Sequence, residues 1–154
     1  MTKRVLSDPQ AAAWSSYQRM RARLSGQLNR ELARKTGLSE ADFEILAALT
    51  ESPDQPVRAL ALRCGLEWEK SRLSHQLRRM EARGLVVREQ CSEDNRGAVI
   101  RVTDAGRKLA AEAREHYEQA VQRYVIDVLT PEQITAIGTI AETVLTQLEE
   151  PHHA

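Results

Sequence analysis

Asp94-Asn-Arg-Gly-Ala-Val-Ile-Arg-Val-Thr-Asp-Ala-Gly106 is the stretch from which the fold can be read, because it places a short charged hairpin directly after a long basic helix. Leu85-Val86-Val87-Arg88 runs into the turn and Ala98-Val99-Ile100-Arg101-Val102 runs out, both rich in β-branched side chains that favour strand. Between them Ser92-Glu93-Asp94-Asn95-Arg96-Gly97 reads as a loop, with Gly97 free to take a positive φ. Such a tip carries Arg96 away from the core as an isolated cation, and Asp94 is placed to fix its guanidinium in one orientation.

Outside the hairpin the chain reads as helix almost throughout. Tyr17, Met20, Leu24, Leu28 and Leu32 recur at helical spacing through residues 9–35, ending at Thr36-Gly37. Ser39 caps a second helix, its box completed by Asp42, and Phe43, Leu46 and Leu49 follow to about Glu51. Ser52-Pro53-Asp54-Gln55-Pro56 breaks it. A short helix is expected from Val57 to Cys64, a turn near Gly65, and a longer helix from Glu67 to Arg83. After the hairpin, Thr103 caps a long helix bearing Leu109, Ala113, Tyr117, Ala120, Tyr124 and Val128. Thr130-Pro131 starts a last helix carrying Ile134, Ile137, Ala141, Val144 and Leu148.

Composition sets the outer limits. The 154 residues, 42% hydrophobic and 29% charged, indicate a folded protein of one domain, or of one domain with helical extensions. No apolar run approaches the roughly 20 residues of a membrane span, and the N-terminus lacks the apolar stretch of a secretory signal, so a cytoplasmic protein is expected. Cys64 and Cys91, with four histidines, match no zinc spacing and no disulfide framework; neither a metal nor a cofactor is expected. The net charge of zero conceals segregation: the balance is +1 over residues 1–55, +5 over 56–108 and −6 over 109–154. The basic middle suits a polyanion, and the acidic C-terminal third would be repelled by one.

At about 100° per residue, Leu66, Leu73, Leu77 and Met80 form the buried stripe of the helix from Glu67 to Arg83. Its far side carries Ser71, Arg72, His75, Arg78 and Arg79, flanked by Trp68, Lys70 and Ser74. Hydroxyl, imidazole and guanidinium groups mixed on one face are the groups that read base edges and hold phosphates in a major groove. Arg78, Arg79 and Arg88 are expected at phosphates, and Ser71, Arg72 and Ser74 at bases and nearby backbone. His75 is either a DNA contact or a solvated helix residue; Trp68 either touches the DNA backbone or packs against the preceding helix. Arg96, oriented by Asp94, suits a narrow minor groove.

Residues Ser71 to Thr103 resemble the multiple antibiotic resistance regulator (MarR) family: the Ser-Arg-Leu-Ser run, the Met80-Glu81-Ala82-Arg83-Gly84-Leu85-Val86 exit, and the signature formed by Asp94, Arg96, Gly97, Thr103 and Gly106. The resemblance covers roughly residues 9–149 and implies a mainly α fold with a small β-hairpin wing. This is a winged helix-turn-helix over residues 37–106, with dimerisation helices at 9–36 and 107–149. It implies a homodimer on a pseudo-palindromic operator in double-stranded DNA, most often a repressor released by a small effector. One departure concerns the turn before the DNA-reading helix: either Leu60-Ala61 is the pair of the helix before it, two residues early, or Leu62 takes the leucine position and Glu67 stands where a turn glycine is common.

Trp14, Tyr17, Leu24 and His116 are candidates for an effector pocket, set against plain packing. Broad apolar stripes on the first and last two helices exceed what a small winged helix covers, which predicts pairing of subunits. The alternative function is a thiol-based redox regulator using Cys64 or Cys91; Cys64 is expected in the core and Cys91 exposed at the start of the wing. An enzyme is not expected, since no nucleophile–base set, phosphate loop or carboxylate pair stands out.

Overall fold

The computed structural model describes residues 5–51, 55–90 and 97–149. In chain order they form α1 (Asp8–Thr36), α2 (Glu40–Thr50), β1 (Val57–Arg58), α3 (Ala59–Leu66), α4 (Lys70–Ala82), β2 (Val86–Gln90), β3 (Ala98–Val102), α5 (Asp104–Tyr124) and α6 (Pro131–Glu149). This is the mainly α architecture with a small β wing expected from the sequence. No helix among the described residues is long and apolar enough to cross a membrane. The chain divides into two compact units, Met1–Glu118 and Gln119–Ala154.

In the first unit the apolar spacing does what it predicts. Ile45, Leu46 and Leu49 of α2, Leu73, Leu77 and Met80 of α4, and Val86, Ile100 and Val102 of the strands close one core with Leu32 and Leu38. Each fully buried aliphatic side chain contributes about 2 kcal/mol at most relative to exposure. Ser39 caps α2 as expected: its hydroxyl accepts from the Asp42 N–H at 3.1 Å, and Asp42 Oδ2 accepts from the Ser39 N–H at 2.9 Å.

The sheet holds one strand more than the sequence suggests. Val57 and Arg58, read there as the start of a helix, instead pair antiparallel with Ile100 and Val99, giving the order β1-β3-β2. A two-residue strand carries no periodicity of its own, so only its partner reveals it. β2 and β3 pair in the register Val86↔Val102, Arg88↔Ile100 and Gln90↔Ala98. Alternation turns Val86, Ile100 and Val102 to the core. Gly97, just before β3, has φ 127°, the positive φ its position in the loop suggests.

The turn before α4 settles the two registers. Leu62 is buried (3% exposed) and Leu60 is not (63%), so Leu62 takes the core position and α3 runs on through Gly65 to Leu66. The turn falls at Glu67, whose φ of 57° and ψ of 37° are left-handed. The Glu67 N–H donates to the Cys64 carbonyl at 3.3 Å and the Trp68 N–H to the Arg63 carbonyl at 3.2 Å, the paired bonds of a Schellman cap. The same two bonds end α4, from the Gly84 N–H to Glu81 and the Leu85 N–H to Met80, with a glycine at the left-handed position, φ 74°. Two ends of the same design thus differ in the one residue that bears the strain.

Thr103 locks α5 to that α4 exit. Its hydroxyl donates to the Gly84 carbonyl at 2.7 Å and accepts from the Gly106 N–H at 3.0 Å, while its own N–H donates to the Leu85 carbonyl at 3.1 Å. A Cβ on Gly106 would overlap the Leu85 carbonyl oxygen and crowd the Val102 methyl.

The second unit holds the end of α5, a 3-10 turn at Ile126–Val128 and α6. The expected run of one helix to Val128 is corrected here: α5 stops at Tyr124. Thr130 caps α6, its hydroxyl accepting from the Gln133 N–H at 3.1 Å and its N–H donating to the Gln133 side chain at 2.9 Å.

Two substitutions check this account. Glu67→Gly should raise stability by about 0.5 to 1 kcal/mol, because relief of the left-handed strain exceeds the added entropy of the unfolded chain. Gly106→Ala should lower it by about 3 kcal/mol, since backbone cannot retreat from the new methyl as a side chain can. Urea unfolding followed by circular dichroism measures both.

Candidate nucleic-acid interface

α4 is the element that presents chemistry. Leu73, Leu77 and Met80 hold it to the core, so the opposite face is turned outward: Lys70, Ser71, Arg72, His75, Arg78 and Arg79 are exposed and Ser74 is half-buried. Glu69 stands at the N-cap but makes no side-chain capping bond, which leaves the first N–H groups of α4 pointing outward beside Lys70 and Ser71. Cationic side chains and uncapped amides together form a surface for phosphate, with hydroxyls among them able to donate or accept.

A buried carboxylate sets how α4 lies. Asp42 accepts from the Gln76 amide and, through Oδ2, from Arg83 Nη1 at 3.0 Å, while Arg83 Nη2 donates to the Gly37 carbonyl at 3.1 Å. The cap of α2 is therefore also the tie to the middle and the end of α4. The sequence marks Asp42 only as a capping residue, because its partners lie 34 and 41 positions away.

Of the two placements the sequence leaves open for Trp68, the structure shows the packed one. Trp68 is 8% exposed and belongs to the core cluster, drawn in as the apolar residue after the Glu67 turn. Its ring lies beneath Arg72, whose guanidinium carbon sits 3.8 Å from the ring centroid. Its side chain lies beside Glu44 of α2, a residue the sequence does not single out. Partial burial pushes the Glu44 carboxyl above its usual range and Glu40 adds to this; the Arg72 cation and the Trp68 indole act the other way.

Arg88 is turned inward. Parity along β2 puts it on the same side as Val86, where its guanidinium donates to the Ser74 carbonyl at 3.4 Å and its N–H donates to Glu81 at 2.9 Å. It braces α4 from the wing. On the outer face Arg101 pairs with Glu89 at 3.6 Å. Asp94, Arg96 and Cys91 lie outside the described residues.

The four effector-pocket candidates lie on α1 and α5. Trp14 and Tyr17 are exposed on α1 with their rings 5.4 Å apart, and Leu24 and His116 are half-buried. An open cavity of about 670 Å³ lies against Thr50, Glu51, Arg107, Ala110, Ala111 and Arg114. Cys64, expected in the core, is exposed on α3. Burial falls instead on Leu62, two residues before it, and through the cap that follows Leu66 on Trp68.

Helix, turn, outward helix and antiparallel wing define a winged helix-turn-helix protein. The MarR family model matches residues 30–97. AbsC, a MarR family transcriptional regulator from Streptomyces coelicolor, is 34% identical over 95% of this chain and 98% of its own, with a TM-score of 0.86. A second MarR family regulator from Streptomyces coelicolor, solved in complex with DNA, is 32% identical over 96% of each chain, with a TM-score of 0.88. The HTH-type transcriptional regulator YdgJ of Bacillus subtilis (strain 168) is 24% identical over 106 residues, which span 69% of this chain and 63% of YdgJ, less than two thirds of that relative's length. This chain belongs to the MarR family, whose members are transcriptional regulators and not enzymes.

Asp42→Ala should cost about 2 kcal/mol in chemical denaturation, since it strands the Ser39 N–H, the Gln76 amide and a guanidinium at once. Arg83→Ala should cost about half as much, because Arg83 is 42% exposed and solvent takes over its hydrogen bonds. The reverse order would show that the ion pair, not the buried acceptor, holds α4.

Proposed function

We propose that this protein binds a pseudo-palindromic operator in double-stranded DNA as a homodimer and represses transcription until a small effector releases it. The observation that carries the reading is the uncovered cationic face of α4, with uncapped amides at the same helix end. Ser71, Arg72 and Ser74 near that end meet bases, Lys70, Arg78 and Arg79 meet phosphates, and His75 joins them. Arg96, oriented by Asp94, enters the minor groove from the wing tip. Trp68 and Arg88 contribute from behind, through Arg72 and through the carbonyl of Ser74. The relative of like fold solved with DNA supports the same partner.

Exposed apolar faces support the dimer. α1 leaves Trp14, Tyr17 and Met20 uncovered, and α6 leaves Ile137, Ile140, Val144, Leu145 and Leu148 uncovered. Faces of this size call for a partner, and two-fold pairing supplies a second α4 about 34 Å away, one turn of the duplex. On this reading residues 37–106 bind DNA and residues 9–36 and 107–149 pair the subunits. An effector acts through α5, because Thr103 bonds the start of α5 to the exit of α4 and the two cannot move separately. A thiol-responsive variant of this scheme rests on Cys64 being exposed; operator binding that stays peroxide-sensitive in Cys64→Ser removes that residue from it.

Binding-site selection from random duplex, then fluorescence anisotropy, tests the reading. Affinity should fall steeply with salt as phosphate contacts release counterions, and Arg96→Ala should cost about 1 to 3 kcal/mol on the selected site. Protein that sediments as a monomer and ignores duplex of every sequence at low salt refutes the proposal.

A further inference from the structure

Among the exposed cations of α4, one is held. The Arg72 guanidinium rests on the Trp68 ring at 3.8 Å from its centroid, and no other arginine of α4 has an aromatic ring beneath it among the described residues. The platform is held in place: Trp68 is 8% exposed and its backbone N–H is bound to the Arg63 carbonyl. Glu44 rises from α2 beside the same pair, so the cation has a ring below it and an anion nearby. Arg72 occupies the third position of α4, in the N-terminal part of a groove-reading helix, where side chains reach base edges.

These constraints act on different degrees of freedom. An arginine loses rotamer freedom when it is ordered at a base. Stacking removes that freedom before DNA arrives and leaves the edges of the guanidinium plane open for two parallel N–H donors. The acceptor pair that matches them is O6 and N7 of guanine. Arg78 and Arg79, without such a platform, stay mobile and suit phosphates, which accept from many directions.

We propose that Trp68 and Glu44 are positioning residues that preset Arg72 to read a single guanine in each half-site. The proposal rests on the reading of α4 as the groove-entering helix and adds which side chain reads which base, and why. Trp68 never touches DNA; it acts through Arg72.

The test is affinity on the selected duplex and on duplexes with each base pair replaced in turn, for the full chain and its variants. Arg72→Ala should abolish discrimination at one G·C pair per half-site, a loss on the order of tenfold to a hundredfold there and not at other positions. Trp68→Leu should lose most of that discrimination at the same pair, Trp68→Phe less, and Trp68→Leu should add nothing once Arg72 is alanine. Glu44→Gln should weaken the same pair by a smaller factor. If Trp68→Leu fails to fold, the Phe and Gln variants carry the comparison, and unchanged discrimination in both overturns the proposal. It is also overturned if Trp68 variants weaken every position alike, which is what a merely structural role does, or if the affected pair is not G·C. Wild-type protein that binds no duplex would instead sink the reading of α4 itself.

Discussion

The position of α4 depends on a carboxylate that water hardly reaches. Asp42 is 4% exposed and accepts from Ser39, Gln76 and Arg83, so one side chain caps α2 and fixes both the middle and the exit of α4. Apolar contact along Leu73, Leu77 and Met80 is non-directional and would tolerate a helix slid or rotated by a fraction of a turn. Hydrogen bonds to a buried acceptor are not tolerant, because each misplaced donor is left without water or partner. A helix meant to meet base edges needs that kind of constraint, since its outer face must be aimed as well as exposed.

The second constraint passes the aim along the chain. α4 ends in a Schellman cap, its Leu85 carbonyl receives the Thr103 N–H, and the Thr103 hydroxyl bonds Gly84 while capping α5. The exit of one helix and the entrance of another therefore share donors and acceptors with no free residue between them. Gly106 is required there because the backbones approach until a methyl no longer fits. The proposed route of regulation through α5 rests on this economy: a helix bonded so closely to the exit of α4 conveys tilt rather than absorbing it.

What could be read from the sequence was whatever is local and periodic. The stripe of α4, the Ser39 box, the Thr103 cap and the hairpin with Gly97 all follow from spacing or from one residue's backbone preference. Arg88 was legible in principle: counting by twos from Val86 places it inward, but a basic residue on a wing invites the opposite reading. The α3 turn was not, because Gly65 offers a turn at no cost and the chain turns two residues later at Glu67. The gain lies elsewhere, in burying Leu62 and bringing Trp68 into the core, and no local preference reports it. The ties of Asp42 and Glu44 to Gln76, Arg83 and Arg72 were illegible for the same reason: only folding brings these residues together.

α6 completes the physical argument for a second subunit. Of its 19 residues, Ile134, Thr135, Ile137, Thr139, Ile140, Thr143, Val144 and Thr146 are β-branched, side chains that lose rotamer freedom in a helix. The hydroxyls of Thr135, Thr139, Thr143 and Thr146 each donate back to the carbonyl four residues earlier, so the polar side of the helix satisfies itself and needs no partner. The other side exposes Ile140 at 63% and Leu148 at 71%. A helix with this intrinsic preference depends on burial of its apolar face, and an acidic segment of this kind does not find that burial on DNA. The surface that covers it has to be apolar, and the proposed second copy of the same helices meets that requirement.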